Sequence, residues 1–299
     1  MPDTPIRPRS TQVDPGLVSF PGVTIPWAAA EASTSSALAH ASAAIARLDQ
    51  ALQSHPLQTA FLYRARLEAV RRQAAVDGQS IDAWHLAAVL EGLRLRMDSA
   101  LRIIDRGAIF EAARHALGLH QWLAFPDFDQ EGEVQSAEKA LVAVPVSTPL
   151  LAAATGMHTW LNHGGTRPPM RAALVRYWIR HRLLRMPVPL TGAAALRPDA
   201  PFEAAAWVPA FLMALAEEAA DGLQLLFDME RAWFAARRAV AGRRRTSRAP
   251  AAIDILAAAP LASASSLAAG LGMAVNNATA LMDGFCAEGI AVEVTHRSK

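Results

Sequence analysis

The sequence predicts an all-α protein with two domains. Of its 299 residues, 52% are hydrophobic, which indicates a globular chain with a sizeable core. Through most of the chain, apolar side chains recur at intervals of three and four residues, the spacing that places them on one helix face. Alanine is abundant and tyrosine occurs only 2 times, and this composition favours helices over strands.

The first part of the chain divides into helices at its turn residues. Residues 1–33 contain six prolines and little periodicity, so we predict a flexible tail there. The first helix begins near Ser36 and stops before Pro56, and the second ends at Asp77-Gly78. Ser80-Ile81-Asp82 provides the start signal of the third helix.

Residues 34–240 are predicted to form one helical domain, without a strand-rich block or an internal repeat. The later helices start at Pro149, at Arg171 and near Phe202, and the last is long enough for a bend near Asp221-Gly222. The predicted helices span residues 36–55, 59–76, 83–95, 98–117, 137–144, 149–162, 171–185 and 202–240, with a loop at 125–136.

Residues 251–299 are predicted to form a helix-turn-helix domain. A first apolar helix contains Ile253 and is ended by Pro260. Ser263 is a suitable N-cap for the second helix, because its hydroxyl can accept a hydrogen bond from the first helical turn. A third helix is expected over residues 275–285.

The second and third of these helices have the spacing of two closely crossing helices. Ala268 lets the backbones approach, Gly272 can adopt a positive φ in the turn, and Ala278 locks one helix onto the other. Residues 289–295 then alternate as a strand does, as in a winged variant. Because the sequence stops at Lys299, we expect only part of a wing.

An arginine-rich linker, residues 241–250, is predicted to join the two domains. Its guanidinium groups could neutralise several DNA phosphates and give salt-sensitive affinity that does not depend on sequence. The alternative is a solvated basic end of the long helix, where cations also suit the helix dipole. The predicted phosphate contacts are Arg243, Arg244, Arg245 and Arg248.

The outward face of the third helix is the surface expected to enter the major groove. Asparagine there could pair with adenine, and valine could contact a thymine methyl group. The face carries no cation, and four acids stand against two bases from residue 249 onward, so a dimerisation or docking module is the alternative. The predicted base contacts are Val275, Asn276, Asn277 and Thr279.

Charge, cysteine content and hydropathy narrow the class of protein. The net charge is only +2, so no global basic field marks the chain as a nucleic-acid binder. The single cysteine, Cys286, excludes an internal disulfide framework and fits a reducing compartment. The start of the chain lacks a signal sequence, and the longest apolar stretch, residues 141–155, is interrupted by prolines. We therefore expect a cytoplasmic protein with no membrane span.

The sequence suggests no metal, cofactor or small-molecule ligand. His158 and His163 are five residues apart and do not share a helix face, and no phosphate loop or dinucleotide fingerprint is present. DNA is the expected partner, and a homodimer is one arrangement in which such domains bind it.

The segments around the linker resemble a known group of proteins. The stretch from Arg243 to Asp254, followed by Pro260 to Ala264, is similar to uncharacterised bacterial proteins with a helix-turn-helix domain behind a domain of unknown function. Those proteins look distantly similar to Fic-domain proteins with a C-terminal winged helix. The resemblance covers most of residues 36–296 and includes Ala46-Arg47-Leu48-Asp49 and Arg66-Leu67-Glu68-Ala69.

The resemblance implies a catalytic motif that this chain does not keep. Active Fic proteins transfer a nucleotide monophosphate with a His-Pro-Phe motif followed by Gly-Asn-Gly-Arg. The nearest segment, residues 158–167, is one residue longer and has Thr159 and Trp160 in place of Pro and Phe. The inhibitory Ser/Thr and Glu-Gly motif is also altered, over residues 73–78.

The sequence thus predicts a transcriptional regulator that binds DNA and carries a non-catalytic, Fic-like helical domain. The two alternatives are a residual Fic-type nucleotidyl-transferase and a protein–protein interaction module without DNA binding.

Overall fold

The regular secondary structure of the protein is entirely helical in the part of the chain that its computed structural model describes, residues 34–79, 81–92, 106–145, 148–243 and 247–293. No strand occurs in these ranges, so the predicted all-α class is confirmed. The predicted tail, residues 1–33, lies outside them. The helices are α1 (Thr34–Leu52), α2 (Gln58–Val76), α3 (Ala83–Leu90), α4 (Arg106–Ala124), α5 (Phe128–Val142), α6 (Pro149–Asn162), α7 (Arg167–Arg180), α8 (Ala204–Ala239), α9 (Ala249–Ala258), α10 (Ala264–Leu271) and α11 (Val275–Ala287), with a 3₁₀ turn at Ala193–Leu196.

Most of the predicted helices are confirmed to within a few residues. α6 has the predicted bounds. α8 is a single helix of 36 residues that contains Pro209 and passes as helix through Asp221-Gly222, where a bend was predicted. α3 ends at Leu90, before its predicted end, and residues 93–105 lie outside the described ranges.

The predicted loop at residues 125–136 is wrong, because a capped helix begins inside it. Asp127 Oδ1 accepts a hydrogen bond of 2.9 Å from the Gln130 backbone N–H. The Asp127 backbone N–H donates in return to Gln130 Oε1, at 3.0 Å. This capping box starts α5 at Phe128. The polar residues that suggested a loop cover the exposed face of an amphipathic helix.

α7 begins at Arg167, not at the predicted Arg171. Pro168 and Pro169 lie in its first turn, where a missing N–H group is tolerated. The Arg176 guanidinium ties this helix to α5 by two hydrogen bonds of 2.6 Å to the Glu131 carboxylate. These bonds lower the pKa of Glu131 to about 2.

The predicted strand at residues 289–295 is also wrong as far as the structure describes it, to residue 293. Gly289 has a φ of 70°, and the Ile290 N–H donates a hydrogen bond of 2.8 Å to the Phe285 carbonyl oxygen. The backbone groups that a strand would use therefore cap the end of α11. The described ranges contain no strand with which this segment could form backbone hydrogen bonds, so the alternation of side chains does not produce a strand.

Three apolar clusters hold the helices together. The main core lies where α1 and α6 pack on α8 and where α7 packs on α5 and α6, and it includes fully buried Trp178 and Phe211. A second cluster, with Leu67 and Leu86, joins α2, α3 and α4. The third belongs to α9, α10 and α11. None of the described helices is both long and apolar enough to span a membrane.

A buried carboxylate in α8 fixes the 3₁₀ turn. Glu218 is 5% exposed and accepts backbone N–H bonds from Thr191 (2.6 Å), Gly192 (3.0 Å) and Ala193 (2.7 Å). Gly192 has a φ of 64°, and a Cβ there would lie 2.3 Å from the Phe211 ring. The sequence at this position must therefore be glycine both for its backbone conformation and for the space available.

The last three helices, here called the C-terminal unit (residues 249–287), are docked on the helical domain. α9 packs against both α2 and α8. The Arg64 guanidinium donates a hydrogen bond of 3.0 Å to the Ala257 carbonyl oxygen, and the Trp233 indole N–H donates one of 2.8 Å to Asp254. Val240, at the end of α8, is 1% exposed and belongs to the core of the C-terminal unit. The predicted linker therefore connects two units that share an interface.

Candidate nucleic-acid interface

The C-terminal unit has a small core to which each of its helices contributes. Ile253 of α9, Leu267 of α10 and Phe285 of α11 are at most 3% exposed and pack in one cluster. Burial of these side chains stabilises helices that would be too short to persist alone in water. The unit consequently presents its polar positions on a fixed framework.

The turn between α10 and α11 has the geometry that its sequence predicted. Ser263 is the N-cap of α10, and its Oγ accepts a hydrogen bond of 3.0 Å from the Ser266 N–H. Gly272 ends α10 with a φ of 61°, in the left-handed region. Ala268 and Ala278 are buried where α10 and α11 cross. The predicted cap, turn glycine and alanine contacts are confirmed.

The predicted base contacts lie together on the first turns of α11. Val275 is 48% exposed, Asn276 and Asn277 are exposed, and Thr279 is half-buried. The opposite side of the helix faces the core through Ala278 and Phe285. The exposed face therefore offers amide, hydroxyl and methyl groups on a rigid helix, which are groups that can contact base edges.

The N-terminus of α11 adds a weak preference for anions. Its N-cap is Ala274, which makes no side-chain cap hydrogen bond, so the first backbone N–H groups have no side-chain acceptor. Together with the helix dipole, such groups favour a phosphate. Asp283, which is exposed further along α11, opposes a phosphate on that part of the helix.

The predicted phosphate contacts have different surroundings. The Arg243 guanidinium forms an ion pair with Glu288, and it also lies 5.5 Å from the centre of the Phe285 ring. Arg248 is exposed and forms no ion pair with a described residue. Arg244 and Arg245 lie outside the described residues.

Two ion pairs that no local sequence signal indicates connect the chain around the end of α8 with α9 and with the residue that follows α11. Arg243 meets Glu288, as above, and Arg237 lies 3.5 Å from Asp254. Their partners are far apart in sequence, so only the fold brings them together. Two of the four acids that lie beyond residue 249, Asp254 and Glu288, therefore have their charges neutralised and repel a phosphate less. Arg238, beside this interface, is exposed and has no ion pair in the described part of the chain.

The turn between α6 and α7 contains the residues that resemble the Fic motif. His158, in the last turns of α6, lies 2.9 Å through Nε2 from the Phe202 carbonyl oxygen. The Trp160 indole N–H donates a hydrogen bond of 2.8 Å to the Thr166 carbonyl oxygen, and a Cβ on Gly165 would lie 2.3 Å from the Trp160 ring. These contacts fold the turn on itself.

This turn offers few donors for a phosphate. Pro168 and Pro169 lack the N–H groups that the start of α7 would otherwise present. Arg167 donates to Asp77 at 3.1 Å, so its guanidinium already has a carboxylate partner. Among the described residues, no group of three or more histidine, cysteine, aspartate or glutamate side chains could hold a metal ion.

Comparison with known proteins adds no family to this description. No family model matches the chain. A search of the curated proteins finds no match either.

Proposed function

We propose that the chain is a DNA-binding protein in which α10, the turn at Gly272 and α11 act as a helix-turn-helix. α11 would lie in the major groove of duplex DNA. The observation that carries the proposal is the exposed group of Val275, Asn276 and Asn277 on a helix whose other face is locked to α10. In this proposal the helical domain is a non-catalytic scaffold with a Fic-like arrangement, and the protein regulates transcription.

Affinity in this proposal comes mainly from cations beside α11, because α11 itself is almost uncharged. Arg243 would contribute less than its neighbours, since Glu288 already neutralises it. Arg238 and Arg248 are exposed without ion pairs in the described ranges, and they join Arg244 and Arg245 as the phosphate contacts. The affinity should be strongly salt-dependent and the sequence preference weak.

The first experiment measures binding to a fluorescent random-sequence duplex by anisotropy over a range of NaCl concentrations. Replacing Arg244, Arg245 and Arg248 together by Ala should weaken binding uniformly and reduce the salt slope by about 0.9 per lost phosphate contact. Replacing Arg47, an exposed arginine of α1 that forms no ion pair with a described residue, is the matched control and should change neither quantity. An unchanged slope in the triple variant would contradict the role given to these arginines.

The second experiment tests α11. A duplex selected from a random pool should bind Asn276→Ala and Asn277→Ala variants about 5- to 150-fold more weakly, because one good asparagine–adenine pair is worth about 1–3 kcal/mol. Both side chains are exposed, so circular dichroism should show unchanged folding. If the wild type and the double variant select the same DNA sequences from the pool, α11 does not contact the bases. Sedimentation of the complex counts the chains per duplex, and two chains would support the homodimer.

If the chain binds no duplex even at low salt, the DNA-binding proposal is wrong and the protein–protein interaction module is the remaining assignment. The nucleotidyl-transferase alternative predicts labelling by ATP with Mg²⁺ that is lost in His158→Ala and His163→Ala variants.

A further inference from the structure

A buried arginine in the helical domain has no hydrogen-bond partner in the described part of the chain. Arg171, in α7, is 4% exposed, yet its Nε, Nη1 and Nη2 atoms all lack an acceptor. Arginine carries five N–H donors and stays charged at neutral pH. A buried charge without a partner is strongly destabilising, so this side chain indicates a missing acceptor.

The nearest carboxylates do not supply that acceptor. Asp77 accepts from Arg167 at 3.1 Å and from the Gln73 amide at 3.0 Å. Glu218 accepts the three backbone N–H groups of the 3₁₀ turn. Both acids act on Arg171 only through their field. Burial, with Arg167 second, lowers the pKa of Arg171 to about 9, which still leaves it a cation at neutral pH.

Arg171 borders a small cavity between α2, α4 and α7. The cavity has a volume of about 10 Å³, which is room for one water-sized oxygen. A single water accepts at most two hydrogen bonds and carries no charge, so it would leave most of the guanidinium unsatisfied. An anion oxygen in the same place would accept hydrogen bonds from the guanidinium and would also neutralise its charge.

The rest of the lining indicates what such an anion carries. Apart from Arg171, Gln73 and Thr191, the side chains around the cavity are apolar. The lining includes Val70 of α2, Leu119 and Trp122 of α4, and Pro168 of α7. Leu119, Trp122 and Pro168 are partly exposed, so they border the side from which a ligand would enter.

We propose that Arg171 binds the carboxylate of a small organic acid whose apolar body lies against Leu119, Trp122 and Pro168. The planar guanidinium can direct two N–H groups at one oxygen of that carboxylate, which is the number of oxygens the cavity can hold. One carboxylate oxygen occupies the cavity, and the apolar body contacts the side chains at its opening. The site is independent of the DNA-binding proposal, since no residue of the C-terminal unit lines it.

The test is titration of the full chain with benzoate and with hexanoate at constant ionic strength, followed by calorimetry and thermal unfolding. We expect saturable binding and a rise in Tm of about 5 °C at a hundredfold excess over Kd. Benzamide, which has the same ring without the charge, should not bind. If benzamide binds as well as benzoate, or neither acid binds, the proposal is wrong.

Two variants assign the binding to one side chain. Arg171→Met should fold, because an apolar chain replaces an unpaired charge among apolar neighbours, and it should lose the response to benzoate. Arg171→Lys keeps the charge without the fork and should bind at least tenfold more weakly. Arg180→Met, at the exposed end of the same helix, should bind as the wild type does.

Inorganic phosphate and chloride distinguish the class of anion. Tighter binding of either than of benzoate would overturn the carboxylate assignment. Retained benzoate binding in Arg171→Met would overturn the assignment to this arginine. If that variant does not fold, the comparison of benzoate with benzamide on the wild-type chain decides the outcome.

Discussion

Replacing Glu218 by Gln should strongly destabilise the helical domain. The carboxylate is 5% exposed and accepts N–H bonds of 2.6, 3.0 and 2.7 Å, two at Oε2 and one at Oε1. Glutamine keeps one oxygen, so at least one N–H would face an NH₂ group, and the remaining bonds would lose their charge. A hydrogen bond to a charged group contributes about 1.5–3 kcal/mol, against about 1 kcal/mol for a neutral one.

The sum of one lost bond and two weakened bonds is about 3–5 kcal/mol in the free energy of unfolding. Urea denaturation followed by far-UV circular dichroism measures this quantity in the full chain. The change also removes a negative charge that attracts the Arg171 guanidinium, so this loss further destabilises the folded chain.

The matched control is Glu217→Gln, one residue earlier on α8. Glu217 is exposed at the residue level, and partial burial of its carboxyl group, together with Asp221 and Glu218, raises its pKa. Loss of its charge should therefore change the stability by no more than about 0.5 kcal/mol. A Glu218→Gln variant within about 1 kcal/mol of the wild type would refute the view that this carboxylate holds the 3₁₀ turn.

Three further predictions use other features of the chain. Gly272→Ala should lower the free energy of unfolding by about 1–2 kcal/mol because of its positive φ. Gly118→Ala, in an open position of α4, should raise it by about 0.5–1 kcal/mol. Urea denaturation compares the two variants, and changes of the same sign would contradict the reasoning. Asp127→Ala should lower the free energy of unfolding by about 1 kcal/mol, because α5 loses its N-cap. Asp127→Asn should keep most of the stabilisation by the cap, and thermal unfolding compares the two variants. Burial, and the nearby Arg66, lower the pKa of His120, so the unfolded chain binds a proton first; stability should fall as the pH drops below about 6.5, and a His120→Gln variant should lose that part of the slope.

The helices of this protein were largely predictable because their signals are local. Pro149 starts α6 at the predicted residue, and Ser263 and Gly272 fix the turn before α11. Each of these acts within a few residues of chain, through a fixed φ, a cap hydrogen bond or a positive φ. The loop prediction at 125–136 failed because a polar stretch is typical both of a loop and of the exposed face of a helix. The capping pair Asp127 and Gln130 is the local signal in the sequence that distinguishes the two.

The strand prediction failed for a different reason. Alternating side chains describe a strand only where a second strand accepts the backbone hydrogen bonds. At residues 289–293 the fold supplies the end of α11 instead, and Gly289 turns the chain back onto it. A local pattern could not contain this information.

By itself the sequence determined that this chain is all-α, where most helices begin and end, and which residues of α11 face outward. These properties follow from the periodicity of apolar residues and from caps that act within one turn. Only the tertiary structure decided that Glu288 neutralises Arg243, that α9 docks on α2 and α8, and that Arg171 is buried without a hydrogen-bond partner among the described residues. Charge pairing and burial depend on residues far apart along the chain. The environment of a charge, unlike the start of a helix, is therefore a property of the whole fold.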